Sequence, residues 1–85
     1  MNPYQAQIQT RKPLLIFLKH VGPPVVLYIE DVETAYNEVK KIITTANPQA
    51  PKLIEKIGNG PLKKVAILDT QIAGVAIQEE NFVGQ

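Results

Sequence analysis

The sequence predicts an α+β domain with a mainly antiparallel sheet of about five strands and one amphipathic helix, in the order β-β-α-β-β-β. Three observations lead to this class. Short runs rich in β-branched and aromatic residues alternate with glycine and proline, which is typical of strands and turns. One longer segment repeats its apolar residues at the spacing of a helix. The chain of 85 residues, 45% of them hydrophobic, has room for one core and one domain.

The first two strands flank a Gly-Pro-Pro turn. They are predicted from Leu14 to Val21 and from Val25 to Ile29, and both carry apolar residues on both faces. Residues 22–24 separate them, because proline has no backbone amide to donate to a ladder. Residues 1–13 are polar and rich in glutamine. Apolar residues alternate with glutamines over positions 4–9, as in a weak edge strand, but the composition favours a flexible tail.

A single amphipathic helix is predicted from Val32 to Ala46. Its apolar residues recur at intervals of three and four, while most of the charged residues occupy the opposite side. Asp31 is the predicted N-cap, since its carboxylate can accept a hydrogen bond from an amide of the first turn. Asn47 and Pro48 then end the helix, because asparagine tolerates the left-handed conformation and proline cannot continue a helix.

Three further strands and a tail are predicted after the helix. The strands run from Lys52 to Ile57, from Lys63 to Leu68 and from Gln71 to Gln78. A Gly-Asn-Gly-Pro loop joins the first two, and a short turn at Asp69 joins the last two. Residues 79–85 are predicted to form a C-terminal tail. The folded domain is therefore expected over residues 14–78.

The strands raise the question of what covers the second face of the sheet. A helix of this length is about 22 Å long and about 10 Å wide, whereas five strands span about 20 Å. A sheet with one wet face should alternate apolar and polar residues, and the first, second and last strands do not. A curled sheet, folded-over tails or a second subunit would each solve this. We favour a homodimer, because two-fold self-pairing is common, with Val26, Tyr28, Ala73, Val75 and Ile77 as the predicted interface.

Three stretches of the chain carry a family resemblance: PVVLYIEDVETAYNEVKKI (24–42), NPQAPKLIE (47–55) and KKVAILDTQIAGVAIQEE (63–80). Together they resemble a small family of uncharacterised proteins of cyanobacteria and plastids, in which an apolar strand pair, a helix, an Asn-Pro-Gln loop and two more apolar strands follow one another. The resemblance implies a cytoplasmic setting in a photosynthetic cell. It carries over no catalytic or binding residue.

Few residues of the chain are suited to catalysis or metal binding. His20 is the only histidine, and the sequence contains neither cysteine nor serine, so no nucleophile–base pair and no cysteine-based metal site is predicted. We interpret His20 as a residue beside a turn. The acidic residues Glu30, Asp31 and Glu33 are expected to cap the helix. The sequence thus predicts a non-enzymatic protein without a cofactor or metal, and a further protein partner on an exposed strand edge is a second expectation.

A lysine-bearing hairpin is the basis of an alternative function. Lys52 and Lys56 share one face of a strand, and Lys63 or Lys64 could join them across the hairpin. Such a patch would bind nucleic-acid phosphates weakly. The net charge of +1 and the nearby Glu55 favour an ordinary solvated face instead.

No membrane association is predicted, and a cytoplasmic location is expected. The longest apolar run, Leu14 to Leu18, is much shorter than the ~20 residues that span a bilayer. The N-terminal residues lack the apolar segment of a signal peptide.

Overall fold

The computed structural model describes residues 7–84 and confirms the α+β class. Its elements are β1 (Gln7–Arg11), β2 (Leu14–Leu18), β3 (Val25–Leu27), α1 (Val32–Thr45), β4 (Leu53–Ile57), β5 (Lys64–Leu68), a short 3₁₀ turn (Asp69–Gln71), β6 (Ile72–Ile77) and β7 (Glu80–Gly84). The predicted order of strands and helix within residues 14–78 is confirmed. The strands pair antiparallel in three small groups, β3-β2-β6, β4-β5 and β1-β7, and not in one sheet.

The helix begins where its cap is predicted. The carboxylate of Asp31 accepts hydrogen bonds from the amide of Thr34 at 3.2 Å and from its hydroxyl at 2.8 Å, which satisfies one of the open amides of the first turn. At the other end, Ala46 is already extended, and its amide closes the last turn on the carbonyl of Ile42. α1 therefore begins at a side-chain cap, Asp31, and ends where the backbone becomes extended at Ala46.

The core lies between α1 and one face of the three-stranded sheet. Leu14, Ile16, Leu27 and Val39 are each at most 1% exposed, so the central part of the sheet and the middle of the helix are sealed from water. Residues of this kind stabilise the fold by about 1.5–3 kcal/mol each on burial. This interface provides most of the apolar burial that holds the molecule together.

A β-bulge in β6 corrects the predicted distribution of its side chains. Leu18 faces Ile72 whereas Phe17 faces Gly74, so Ala73 is the extra residue of the strand. Strict alternation along the strand predicts Ile72 on the face opposite Val75 and Ile77. The bulge brings Ile72 to the helix side, where it is 3% exposed.

β1 and β7 form a ribbon that continues the pairing of β2 with β6. Arg11 faces Glu80 and Leu14 faces Ile77, so the register passes from one pair to the next without an insertion. Pro13 interrupts the ladder because it lacks an amide. The result is one long ribbon whose two sides come from opposite ends of the chain.

The structure differs here from the two predicted tails. Residues 7–11 and 80–84 are strands, because each segment supplies the backbone partners that the other needs. The remaining parts of the predicted tails at 1–6 and 85 lie outside the described residues. The ribbon makes the molecule elongated, 59 × 23 × 18 Å, with a radius of gyration of 15.6 Å. A compact chain of this length would have a radius of about 12 Å.

The β4–β5 hairpin packs against the core without joining the three-stranded sheet. Ile54, Val65 and Ile67 on its inner face belong to the same apolar cluster as α1 and β2. An ion pair between Lys56 and Glu38 also joins this face to the helix. The sequence predicts one sheet, but β4–β5 and β3-β2-β6 are two separately hydrogen-bonded units that pack on the same helix.

Candidate functional site

The outer edge of β6 has no hydrogen-bonded strand partner within residues 7–84. On the other side, the amide of Gln78 donates to the carbonyl of Pro13 at 3.0 Å. Because bonding direction alternates along an antiparallel strand, Val75 and Ile77 direct their amides and carbonyls to the open side. The strand, IAGVAI, contains neither a charged residue nor a proline, the residues that commonly protect an exposed edge.

The opposite edge of the same sheet is protected. β3 is only three residues long, and Pro23 and Pro24 come directly before it. Short strands and prolines both limit pairing with another chain. The two edges of the sheet are therefore unequal, and β6 is the one able to accept another strand.

One face of the three-stranded sheet is not covered by the helix. Leu15 lies between Val26 and Ala76 in a single row across this open face. Phe17 is 39% exposed in the next row, and its ring lies over Gly74, whose added Cβ would be 3.7 Å from the ring. The open face is apolar and continuous with the unpaired edge.

The predicted interface residues are divided by the structure. The side chains of Val75 and Ile77 pack against the core, whereas their backbone groups face the open edge, and their part in an interface stays a prediction. Val26 is half-buried on the open face, and Ala73 is exposed at the bulge. Tyr28 contacts other parts of the same chain. Sequence alternation could not show this division, because it does not give the register that puts Val26 in the row of Ala76, or the bulge that separates Ala73 from the face of Val75.

Tyr28 is a junction between the end of β3, the β1–β7 ribbon and the loop that joins β4 to β5. Its hydroxyl donates to a carboxylate oxygen of Glu80 at 2.9 Å, and the guanidinium of Arg11 lies 5.2 Å from the centre of its ring. The amide of Asn59 donates to the carbonyl of Tyr28 at 2.7 Å, and Gly60 lies against the ring. The hydrogen bond to Glu80 raises the pKa of Tyr28 above its ordinary value, because the neutral hydroxyl donates this bond and ionisation would remove it.

The four candidate lysines do not form one patch. Lys56 is paired with Glu38 of the helix, whereas Lys64 faces Ile57 on the outer side of the hairpin. Lys52 and Lys63 are exposed near the ends of the hairpin strands. One of the four charges is thus neutralised by a pairing that sequence spacing could not reveal.

The outer face of the β4–β5 hairpin is a second apolar surface. Leu53 and Ile57 are each 67% exposed, and Leu68 is 44% exposed. Leu53 and Leu68 face each other across the two strands. Two charged residues, Glu55 and Lys64, lie on the same side of the hairpin and interrupt the apolar surface.

A cleft of about 420 Å³ lies between the end of α1, the following loop and the base of the β4–β5 hairpin. Ile42, Leu53 and Ile54 line it with apolar groups, and Lys52 and Asp69 line it with charges. Asp69 is 6% exposed. The sequence presented it only as a turn residue, because the burial of its carboxylate depends on contacts that are distant along the chain.

His20 lies in the exposed turn after β2, as interpreted from the sequence. Its φ of 62° is in the left-handed region, which histidine adopts more readily than bulky or β-branched residues. Within residues 7–84, no three His, Asp or Glu side chains come together as a metal site would require.

Comparisons with protein-family models, with curated proteins and with solved structures find no match to this chain. The resemblance to the cyanobacterial and plastid family stays a prediction. No helix in the described part of the chain is long and apolar enough to cross a membrane, and the cytoplasmic location also stays a prediction.

Proposed function

We propose that the protein is a non-enzymatic self-associating module, and that two copies pair edge to edge through β6. The unpaired, uncharged edge of this six-residue strand is the observation that supports the proposal. An unprotected edge presents unpaired amides and carbonyls to other chains, and natural proteins usually block it unless it is used. A two-fold axis then gives the simplest closed assembly.

The sequence of β6 suits antiparallel pairing with itself. With the axis at Val75, Val75 of one copy faces Val75 of the other, Gly74 faces Ala76, and Ala73 faces Ile77. The facing side chains on the open face are small, so the two strands can approach without a clash, and no like charges are opposed. The two three-stranded sheets would become one sheet of six strands ending in the protected β3 strands.

The experiment is light scattering coupled to size-exclusion chromatography over a wide concentration range. The expected mass is twice the 9.4 kDa of the chain. Ala76→Lys places a charge on the open face at the paired edge, and should give a monomer. Val26→Lys is the matched control, because it lies in the same row on the other side of Leu15. It should remain dimeric, with the circular dichroism of both variants unchanged.

Two outcomes would contradict edge pairing. A wild-type monomer at every concentration would remove the basis of the proposal. Dissociation of both Ala76→Lys and Val26→Lys would instead indicate that the open faces stack on each other.

Nucleic-acid binding through the lysine hairpin has less support. Lys56 is already paired with Glu38, and Lys64 lies on the opposite face of the hairpin. Phosphate binding depends on several cations acting together. A salt-sensitive mobility shift with an oligonucleotide, lost when all four candidate lysines are changed to glutamine, would restore this alternative.

A further inference from the structure

The cleft at the end of α1 contains a nearly buried carboxylate whose hydrogen bonding is incomplete. One oxygen of Asp69, Oδ1, accepts from the amide of Lys52 at 2.9 Å, and the amide of Asp69 donates to the carbonyl of Lys52 at 2.8 Å. The second oxygen, Oδ2, accepts no hydrogen bond from residues 7–84, and Asp69 forms no ion pair with them. Asp69 is 6% exposed, and Oδ2 still meets solvent at the cleft, because no side-chain oxygen of the described residues is both sealed from water and without a hydrogen bond. A donor that enters the cleft can therefore reach this oxygen.

The end of the helix adds negative potential to the same cleft. α1 ends at Thr45, and its last turn contains no basic residue. The hydroxyls of Thr44 and Thr45 donate to the carbonyl of Lys41. The last carbonyls of a helix have no partner within it, and they carry the negative end of its dipole. A carboxylate and a helix C-terminus at one cleft both favour a cation with hydrogen-bond donors.

Aliphatic side chains form much of the remaining wall of the cleft, and Thr45 and Asn47 add polar groups at the end of the helix. Ile42, Leu53 and Ile54 line the space beside Asp69, and Leu53 keeps two thirds of its surface exposed, at 67%. Such walls suit methylene groups better than an inorganic cation, which would need several oxygen ligands. We propose that this cleft binds a primary ammonium group on a short aliphatic stem, with the ammonium donating to Oδ2 of Asp69.

Lys52 provides a second test, in which the expected change in affinity is opposite to that at Asp69. It lines the cleft but forms no ion pair among the described residues, and its side chain is exposed. Its charge opposes a bound cation, or competes with it for Asp69. Removing the charge of Lys52 should therefore strengthen binding, whereas removing that of Asp69 should weaken it.

The test is a titration of the full chain with n-butylammonium chloride, followed by two-dimensional NMR. 1-Butanol is the neutral control of similar shape, and the variants are Asp69→Asn and Lys52→Gln. Asp69→Asn keeps an oxygen for the amide of Lys52, so the hairpin base stays intact while the charge is lost. We expect saturable shifts at Ile42, Leu53 and Ile54 and an affinity order of Lys52→Gln, wild type, Asp69→Asn. The last step should be about tenfold or more, as for a lost charge-assisted hydrogen bond.

Equal binding of butanol and butylammonium, or equal affinity of Asp69→Asn and wild type, would overturn the ammonium site. The absence of saturable shifts would do so as well. A parallel titration with Nα-acetyl-lysine methylamide distinguishes the sources of the ammonium. Tighter binding than butylammonium indicates a lysine of another polypeptide, and weaker binding indicates a free amine. Neither result depends on the pairing of β6, because the cleft lies within one chain.

Discussion

The molecule contains two ribbons of two five-residue strands, β4–β5 and β1–β7, and they are held in different ways. The β4–β5 hairpin places Ile54, Val65 and Ile67 in the core cluster, and Lys56 pairs with the helix. The described side chains of β1–β7 contribute none to that cluster. This ribbon is held by its continuation from β2–β6 and by the junction at Tyr28. An isolated two-stranded ribbon is at best marginally stable in water. The β4–β5 hairpin is therefore stabilised by packing on the core, and β1–β7 by its continuation from β2–β6.

The packing of the hairpin on the core is tested by truncating one side chain of its inner face. Ile67→Ala should lower the free energy of unfolding by about 2–4 kcal/mol, since the residue is 8% exposed in the core. The next residue in the chain is the control. Leu68→Ala, on the outer face at 44% exposure, should cost less than about 1 kcal/mol. Urea unfolding of the two variants measures both, and similar losses would mean that the hairpin is not held by its inner face.

A second test is to disturb the contact between the hairpin loop and the junction. A Cβ at Gly60 would overlap the ring of Tyr28, so Gly60→Ala must displace the ring or the loop. We expect a loss of about 1–3 kcal/mol. Gly22→Ala meets nothing within 4 Å and has no positive φ, so its effect should lie between none and about 1 kcal/mol of stabilisation. Thermal unfolding of both variants gives the comparison, and an unaffected Gly60→Ala would argue against close packing on Tyr28.

A smaller effect is expected from removing one oxygen at the junction. Tyr28→Phe loses the hydrogen bond to Glu80 but keeps the ring for Arg11 and Gly60. Amide hydrogen exchange should accelerate several-fold in β1 and β7 and stay unchanged in β4 and β5. Tyr36→Phe on the helix is the control, and should leave both ribbons as they are. Equal acceleration in both ribbons would show that the junction does not act on β1–β7 selectively.

The smallest effect is a dependence on alkaline pH. The hydrogen bond to Glu80 raises the pKa of Tyr28 in the folded protein, so the folded state keeps this proton where the unfolded state loses it. The stabilisation is present below pH about 10 and is lost as the pH rises through the raised pKa. Wild-type protein and Tyr28→Phe should therefore converge in stability at high pH. A constant difference between them from pH 7 to 11 would contradict this linkage.

The sequence predicts elements better than it predicts their partners. The helix from Val32 and the five strands between residues 14 and 78 follow from local periodicity, capping and turn residues. The extra residue at Ala73 is invisible to alternation, and it reverses the side on which Ile72 lies. The pairing of residues 7–11 with 80–84 was equally hidden, because a polar segment forms a strand only when its partner is present. The buried carboxylate of Asp69 depends on Lys52, 17 residues away.

The long ribbon also has a consequence for the order of folding. Leu18 and Ile72 face each other with the whole helix and hairpin between them in the chain. Contacts so distant in sequence form slowly, because the intervening loop must close first. We therefore expect α1 and the β4–β5 hairpin to form early, and the ribbon to close afterwards from Leu18 and Ile72 outward. Opening should begin at Gln7 and Gly84 and proceed in the reverse direction. The pairing of β1 with β7 would then be the last to form in folding and the first to be lost in unfolding.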